Sequence, residues 1–547
     1  LHTSTKTLKE LFFFVLLIMN GYLSYKIYLF SNRDTYLLGG DTSFTFNSEV
    51  FAPMFLIFIG LTIVESLIIF LLVKRLRSST VLASSRLLNY KQVPAEQRQQ
   101  KNYMFHSKKK SRAFKNDKSG LLLSQNLKLE TSKCFEHSVV IAPTGAGKSA
   151  SVLRPELEEL DNTSIVVIDS KKELYKQTHK KKREQGYNVY QLNLYDPTNS
   201  VGFDLLRSCQ SIEDVEKLSE SLLTNAEGDW GKLSENLLTA VLIKVYAKKG
   251  TLSDAVDLLA DLSIDETELL NEFEKAPDAA KLAIKEFIQT LGSEGMVASI
   301  FKTIQSELKV FKRQSMRDLQ KQAELFDVLT LRKEKAILYI SYPEDESKLY
   351  SSFLSPFYYT LLNKTKNYVS EDMEKDYMFI QFLIDEFANI GRITEFTTFL
   401  STIRSKKMGI QIFLQSFEQL SRNYPGEESI ILENCKTKIA MAGVSDKTAE
   451  TFAKLMGKEQ YKSYSHSVGD HHSSSSVSDQ TKEVLSMDDI RRIKSYQILI
   501  ISDNLRPIMD DKNYSYYNKI QFWIFKCSPF NKKTTDKIID CFKSKGN

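Results

Sequence analysis

The chain has little of what builds a metal or disulfide framework. Five cysteines, Cys134, Cys209, Cys435, Cys527 and Cys541, are scattered through 547 residues, and no two stand at metal-ligand spacing. That argues against a disulfide scaffold and a zinc site, and it fits a reducing cytosol. Long apolar runs are absent after residue 73, which excludes a multi-span transporter. Charge of one sign is not in large excess either. Lys and Arg number 74 against 68 Asp and Glu, for a net +6. Hydrophobic residues make up 42% and charged residues 26%, which excludes a mostly disordered chain. The length suits several domains around a large buried core.

Two apolar runs stand near the start. Phe51–Val73 spans a hydrocarbon core of ~30 Å, for which about 20 helical residues suffice. Leu11–Leu29 is interrupted by Asn20, Ser24 and Lys26, and no small-residue cleavage site follows it. Lys6 and Lys9 precede the first run, and Lys74, Arg75 and Arg77 follow the second. The stretch between holds Asp34, Asp41 and Glu49 against Arg33. These charges predict a multi-pass anchor in the cell membrane, with both termini and the remainder of the chain cytoplasmic. From Lys74 to Lys118 there are thirteen Lys and Arg against Glu96 and Asp117, so the basicity belongs to one collar. Anionic lipid and a nucleic-acid backbone are both suitable partners for it.

Ser138–Ala142 reads as a buried strand running into Pro143-Thr144-Gly145-Ala146-Gly147-Lys148-Ser149. This is a P-loop. Its glycines let backbone N–H groups curl around phosphate oxygens, Lys148 reaches the β- and γ-phosphates, and the Ser149 hydroxyl can ligate Mg²⁺. The strict pattern has Gly where Ala142 stands. A second strand, Ser164–Ile168, ends in Asp169, which either serves an active-site edge or closes a strand-end turn. A third, Met378–Ile384, runs directly into Asp385 and Glu386. The aspartate suits the Mg²⁺ shell, and the glutamate suits a general base that polarises water. A fourth, Gly409–Leu414, ends in Gln415, either a γ-phosphate sensor or an ordinary strand-end residue. Arg404, placed on a helix between the last two strands, is either an arginine finger for a neighbouring subunit or a solvated charge.

The order of these motifs resembles the type IV secretion coupling proteins, the TraG/TraD-like ATPases of conjugation. The resemblance covers nearly the whole chain: the two N-terminal runs, IAPTGAGKS, IDSKKELY, FDLLRS, FLIDEFANIGRI, IRSKKMGIQIFLQSFEQL and SMDDIRRI. Asp385-Glu386-Phe387-Ala388-Asn389 with Gln415 one strand later is its most specific part. One departure is Ser170-Lys171-Lys172, where Pro-Lys-Gly is common. The resemblance implies an α/β fold: a RecA-like P-loop NTPase motor with an inserted all-α domain and a two-helix transmembrane anchor. It implies a homo-hexamer using ATP and Mg²⁺ to pass relaxase-bound single-stranded DNA to a secretion channel. Matched residue by residue, Thr144 to Ser149 bind nucleotide, and Ser149 and Asp385 hold the metal. Lys148, Glu386, Gln415 and the trans-acting Arg404 carry the catalysis.

The expected domains are an anchor at 1–80, a basic linker at 81–125, two motor segments at 126–205 and 327–547, and an all-α domain at 206–326. The last rests on helical spacing such as Leu237, Leu238, Val241 and Leu242. Gln460–Thr481, with His466, His471 and His472, reads as a mobile Ser-rich loop rather than a metal site. A basic tail closes the chain. Three other functions fit the same residues: export of protein effectors, an FtsK-like double-strand pump, and a membrane receptor that binds ATP without hydrolysing it.

Overall fold

The computed structural model describes residues 85–108, 112–226, 230–263, 265–289, 294–370, 377–469 and 472–513. The expected anchor and the basic tail lie outside them. Among the described residues no helix is long and apolar enough to cross a membrane.

Fourteen strands are named in chain order. They are β1 (Leu88–Asn89), β2 (Phe105–Ser107), β3 (Leu127–Leu129), β4 (Ser138–Ile141), β5 (Ser164–Ile168), β6 (Asn188–Asn193) and β7 (Ala336–Ser341), followed by β8 (Ile380–Ile384), β9 (Met408–Leu414), β10 (Thr437–Met441), β11 (Lys458–Gly469), β12 (His472–Glu483), β13 (Gln497–Ser502) and β14 (Ile508–Asp511). Ten of them form one sheet in the order β1-β14-β13-β10-β4-β9-β8-β5-β7-β6. From β10 to β6 every pairing is parallel, while β13 runs antiparallel to both β10 and β14.

The central strands SVVI, SIVVI, IQFLI and MGIQIFL are buried along their whole length. Parallel strands covered on both faces read as continuous apolar runs for this reason. The pleat splits them between two cores. Val139, Ile141, Val166 and Ile168 pack on one side, and Val140, Ile165 and Val167 on the other.

Between Leu205 and Gln320 the described residues hold only helices, apart from short connections. Leu237, Leu238, Val241 and Leu242 put one wholly buried face on the helix Trp230–Ala247. Ser211 caps Ile212–Leu223, and a Thr251/Asp254 capping box starts Leu252–Asp261.

Two expectations need correction. The described residues of the expected 81–125 linker, 85–108 and 112–125, are part of the folded body, not a linker: β1 joins the edge of the main sheet, and Val93, Met104, Leu121 and Leu123 are fully buried. Counting cations hid the apolar residues interleaved among them. The polar 460–481 stretch is not a loop either. β11 and β12 pair antiparallel in register from Lys458↔Glu483 to Gly469↔His472, as a two-stranded sheet of their own. Backbone pairing in a ribbon does not need apolar side chains, so composition concealed it.

Candidate active site at the carboxyl ends of the central strands

β4, β9 and β8 are neighbours, and all three point their carboxyl ends at one edge. The segments following them therefore meet there. After β4 the chain continues one residue in register, Ala142 N donating to Leu414 O at 3.0 Å. Ala142 is buried in this strand extension, where a methyl is accommodated and glycine is not needed. The loop then turns through Gly145 (φ 79°) and Gly147 (φ 88°). A Cβ on Gly145 would meet nothing within 4 Å, so the turn faces open space. Alternating left-handed glycines of this kind gather N–H groups into an anion-binding nest.

The helix that follows starts unusually. Ser149–Leu153 is π-wound, with Arg154 N bonded to Ser149 O, before the α-helix Arg154–Glu159. Pro155 has no N–H for the carbonyl four residues back, and the widened turn absorbs that loss.

Five of the sequence-predicted residues come together here, from three separate stretches. Lys148 Nζ donates to Glu386 Oε1 at 2.5 Å and lies 3.9 Å from Asp385 Oδ1. Ser149 Oγ donates to Asp385 Oδ2 at 3.0 Å. Gln415 Nε2 donates to Glu386 Oε2 at 3.0 Å. Glu386 occupies the left-handed region at φ 48°, a conformation costly for a residue with a Cβ and tolerated where a site requires it. Burial pushes the Asp385 carboxyl above its ordinary value, while Lys148 pulls the other way.

Beside these groups opens a cavity of about 420 Å³, lined among others by Ser149, Arg154, Asp169, Lys171, Asp385 and Glu386. Asp169 itself closes the turn after β5, accepting from Leu174 N at 3.2 Å and Tyr175 N at 2.7 Å. Lys172 sits at φ 57°, a conformation that a glycine adopts without strain.

Arg404 is not part of this cluster. It lies in the turn after the helix Phe396–Thr402 rather than on that helix, before β9 and so at the opposite edge of the sheet. There Arg404 Nη2 pairs with Glu136 Oε1 at 2.6 Å. Two contributors carried no sequence signal. Asn225 Oδ1 accepts from Arg392 N at 2.8 Å, binding the all-α segment to the chain just past Glu386. Lys512 Nζ donates to Ala146 O of the P-loop at 2.8 Å.

The donor set suits magnesium nucleotide. A nest with a lysine accepts phosphate, and one hydroxyl with one carboxylate gives hard oxygen ligands to an ion that keeps waters and phosphate oxygens for the rest. Among the described residues no group of three or more His, Cys, Asp or Glu could hold a metal.

A family model described as type IV secretory system conjugative DNA transfer matches residues 84–542. The chain belongs to this family. Protein VirD4 of Rhizobium rhizogenes is 21% identical over 413 residues, covering 72% of this chain and 60% of that protein. Protein VirD4 of Agrobacterium fabrum is 20% identical over 411 residues, with the same coverage. The chain thus spans about 60% of the length of these relatives. Among solved structures, the bacterial conjugative coupling protein TrwBdeltaN70 superposes with TM-score 0.61 at 13% identity, covering 80% of this chain and 94% of that one. The plasmid coupling protein TrwB in complex with ADP and Mg²⁺ gives 0.59 at 14%, with coverage of 80% and 95%. At these identities the likeness is one of fold. The fold that this chain shares with them is the RecA-type α/β nucleotide-binding fold.

Proposed function

We propose that the chain is the ATP-driven coupling protein of a conjugative or type IV secretion system. It would be membrane-anchored through residues 1–80, with both termini and the motor cytoplasmic, and would work as a hexameric ring. It would receive relaxase-bound single-stranded DNA and pass it to the secretion channel. The observation that carries this is the junction of three distant stretches, Lys148–Glu386, Ser149–Asp385 and Gln415–Glu386, within a chain of this family.

In that reading the loop from Thr144 to Ser149 and the Lys148 ammonium would hold the phosphates of ATP, and Ser149 with Asp385 would hold Mg²⁺. Bound magnesium supplies a Lewis acid that withdraws charge from the phosphate oxygens. Glu386 would accept the proton of the attacking water, and Gln415 would keep that carboxylate turned toward the water. Lys148 and Glu386 neutralise one another as the site stands, so an arriving polyphosphate takes the ammonium and frees the base. Arg404, remote from its own P-loop, would serve a neighbouring copy.

The test uses the purified full chain in detergent. Mg²⁺-dependent ATP turnover should rise with single-stranded DNA more than with duplex, and Lys148→Ala or Glu386→Gln should abolish turnover and transfer while membrane insertion persists. Wild-type transfer by either variant refutes the motor. Nucleotide binding without turnover would instead identify a receptor, preference for duplex a double-strand pump, and a DNA-independent motor an exporter of protein.

A further inference from the structure

β14 lies three strands from β4 in the sheet, and two antiparallel steps leave the two strands parallel. Its carboxyl end therefore reaches the same edge as the P-loop. The next residue, Lys512, is only 1% exposed. Its amide donates to Tyr496 O at 2.8 Å, and its ammonium donates to Ala146 O at 2.8 Å. A buried ammonium is costly unless hydrogen-bonded, and this one bonds the main chain of the nucleotide loop.

The carbonyl it holds has a particular place. Ala146 stands between Gly145 and Gly147, both left-handed, in the turn that gathers N–H groups toward the open cradle. A carbonyl turned into that cradle would oppose an anion. β14 itself is seated from outside. Asp510 accepts from Ser124 Oγ at 2.6 Å and Asn126 Nδ2 at 2.9 Å. Gln125 N donates to Asp511 O at 3.0 Å, and Leu88 N to Pro507 O at 2.8 Å.

We propose that Lys512 is a positioning residue of the nucleotide site: it holds the Ala146 carbonyl away from the phosphate cradle, so that nucleotide affinity depends on how β14 is seated. This deepens the nucleotide-binding reading and rests on it. The stretch 88–126, which follows the proposed anchor, and the strand that leads into the final residues thereby bear on the same loop.

The experiment compares the full chain with Lys512→Met, Lys512→Arg and Asp510→Asn. The probe is a fluorescent ADP derivative with Mg²⁺, and thermal midpoints without nucleotide report folding. A charge-assisted hydrogen bond contributes enough that Lys512→Met should weaken ADP binding about 10-fold or more. KM for ATP should rise alike while kcat at saturation stays within a few-fold. Lys512→Arg should recover most of the affinity. Without any nucleotide, amide hydrogen exchange across residues 143–149 should quicken in Lys512→Met. Asp510→Asn, which leaves Lys512 in place, should weaken ADP binding severalfold, and it carries the test if the methionine variant does not fold. Wild-type affinity in folded Lys512→Met or in Asp510→Asn overturns the inference alone, as does a fallen kcat at unchanged KM. If the wild-type chain itself binds no ADP, the nucleotide-binding reading falls first.

Discussion

The two edges of the central sheet both carry buried charge, and they satisfy it differently. At the amino edge, Arg332 is fully buried and donates to three carbonyls, Thr365 O, Met378 O and Lys406 O, at 2.9–3.0 Å. Lys182, also fully buried, donates to Leu160 O, and His137 bonds Leu400 O and Ile410 N. Each of these hydrogen-bond partners is main chain and cannot be exchanged, although the buried Glu136 at the same edge pairs with the Lys133 and Arg404 side chains. At the carboxyl edge, Lys148, Glu386, Ser149, Asp385 and Gln415 bond one another through side chains beside a cavity. Those partners can be replaced by a ligand. The same residue types thus brace the fold at one edge and form an exchangeable site at the other, where the strand-end groups line a cavity.

The sharpest way to break this contrast is at the carboxyl edge. Glu386→Gln should lower ATP turnover by about 10²–10⁴-fold, the usual contribution of a general base. Stability in urea should hardly change, since the amide still accepts from Lys148. At the amino edge, Arg332→Leu should do the reverse. Three carbonyls lose their donor inside the protein, and urea titration should show a loss of roughly 3 kcal/mol or more.

The third test is pH. Burial holds the His137 pKa down to about 4, so on acidification the unfolded chain takes up its proton first. The contribution of neutral His137 is intact above about pH 6.5 and is lost as pH falls toward 4. Between pH 7 and pH 5 this should cost roughly 2 kcal/mol, and urea melts of His137→Gln should lack that component. Next, Gln415→Ala should slow turnover about tenfold or more and leave ADP binding unchanged, as expected of one hydrogen bond to a carboxylate.

Among these, Arg404→Ala should have only a small effect on stability. Its side chain is 59% exposed, so the pair with Glu136 contributes under about 1 kcal/mol. Reduced turnover at unchanged ADP affinity would mark service to a neighbouring copy, and unchanged turnover would end that role.

The legible parts were those with local causes. A P-loop needs particular residue types at fixed spacing, and a buried parallel strand must be a continuous apolar run. Hence 138–149, 164–169, 378–386 and 409–415 could be read directly, and the helical spacing after Leu206 pointed to an all-α insertion. Regions where charge or serine masks the pattern misled. Val93 and Met104 lie buried within a basic stretch, and the Ser-rich β11–β12 ribbon looks unstructured by composition. Arg404 was read onto a helix that stops two residues earlier, at Thr402, because nothing local marks the stop.

By itself the sequence determined the candidate chemistry, since each group proposed to bind phosphate or to move a proton is specified by residue type within a few positions. Only the tertiary structure decided which of those groups meet. Lys148 and Glu386 are 238 positions apart, and Lys512 reaches a loop 366 positions before it, through a strand order that places β9 between β4 and β8 and returns β14 to the same edge. Strand order and direction depend on how the whole sheet buries its two faces, and no local stretch of sequence encodes that.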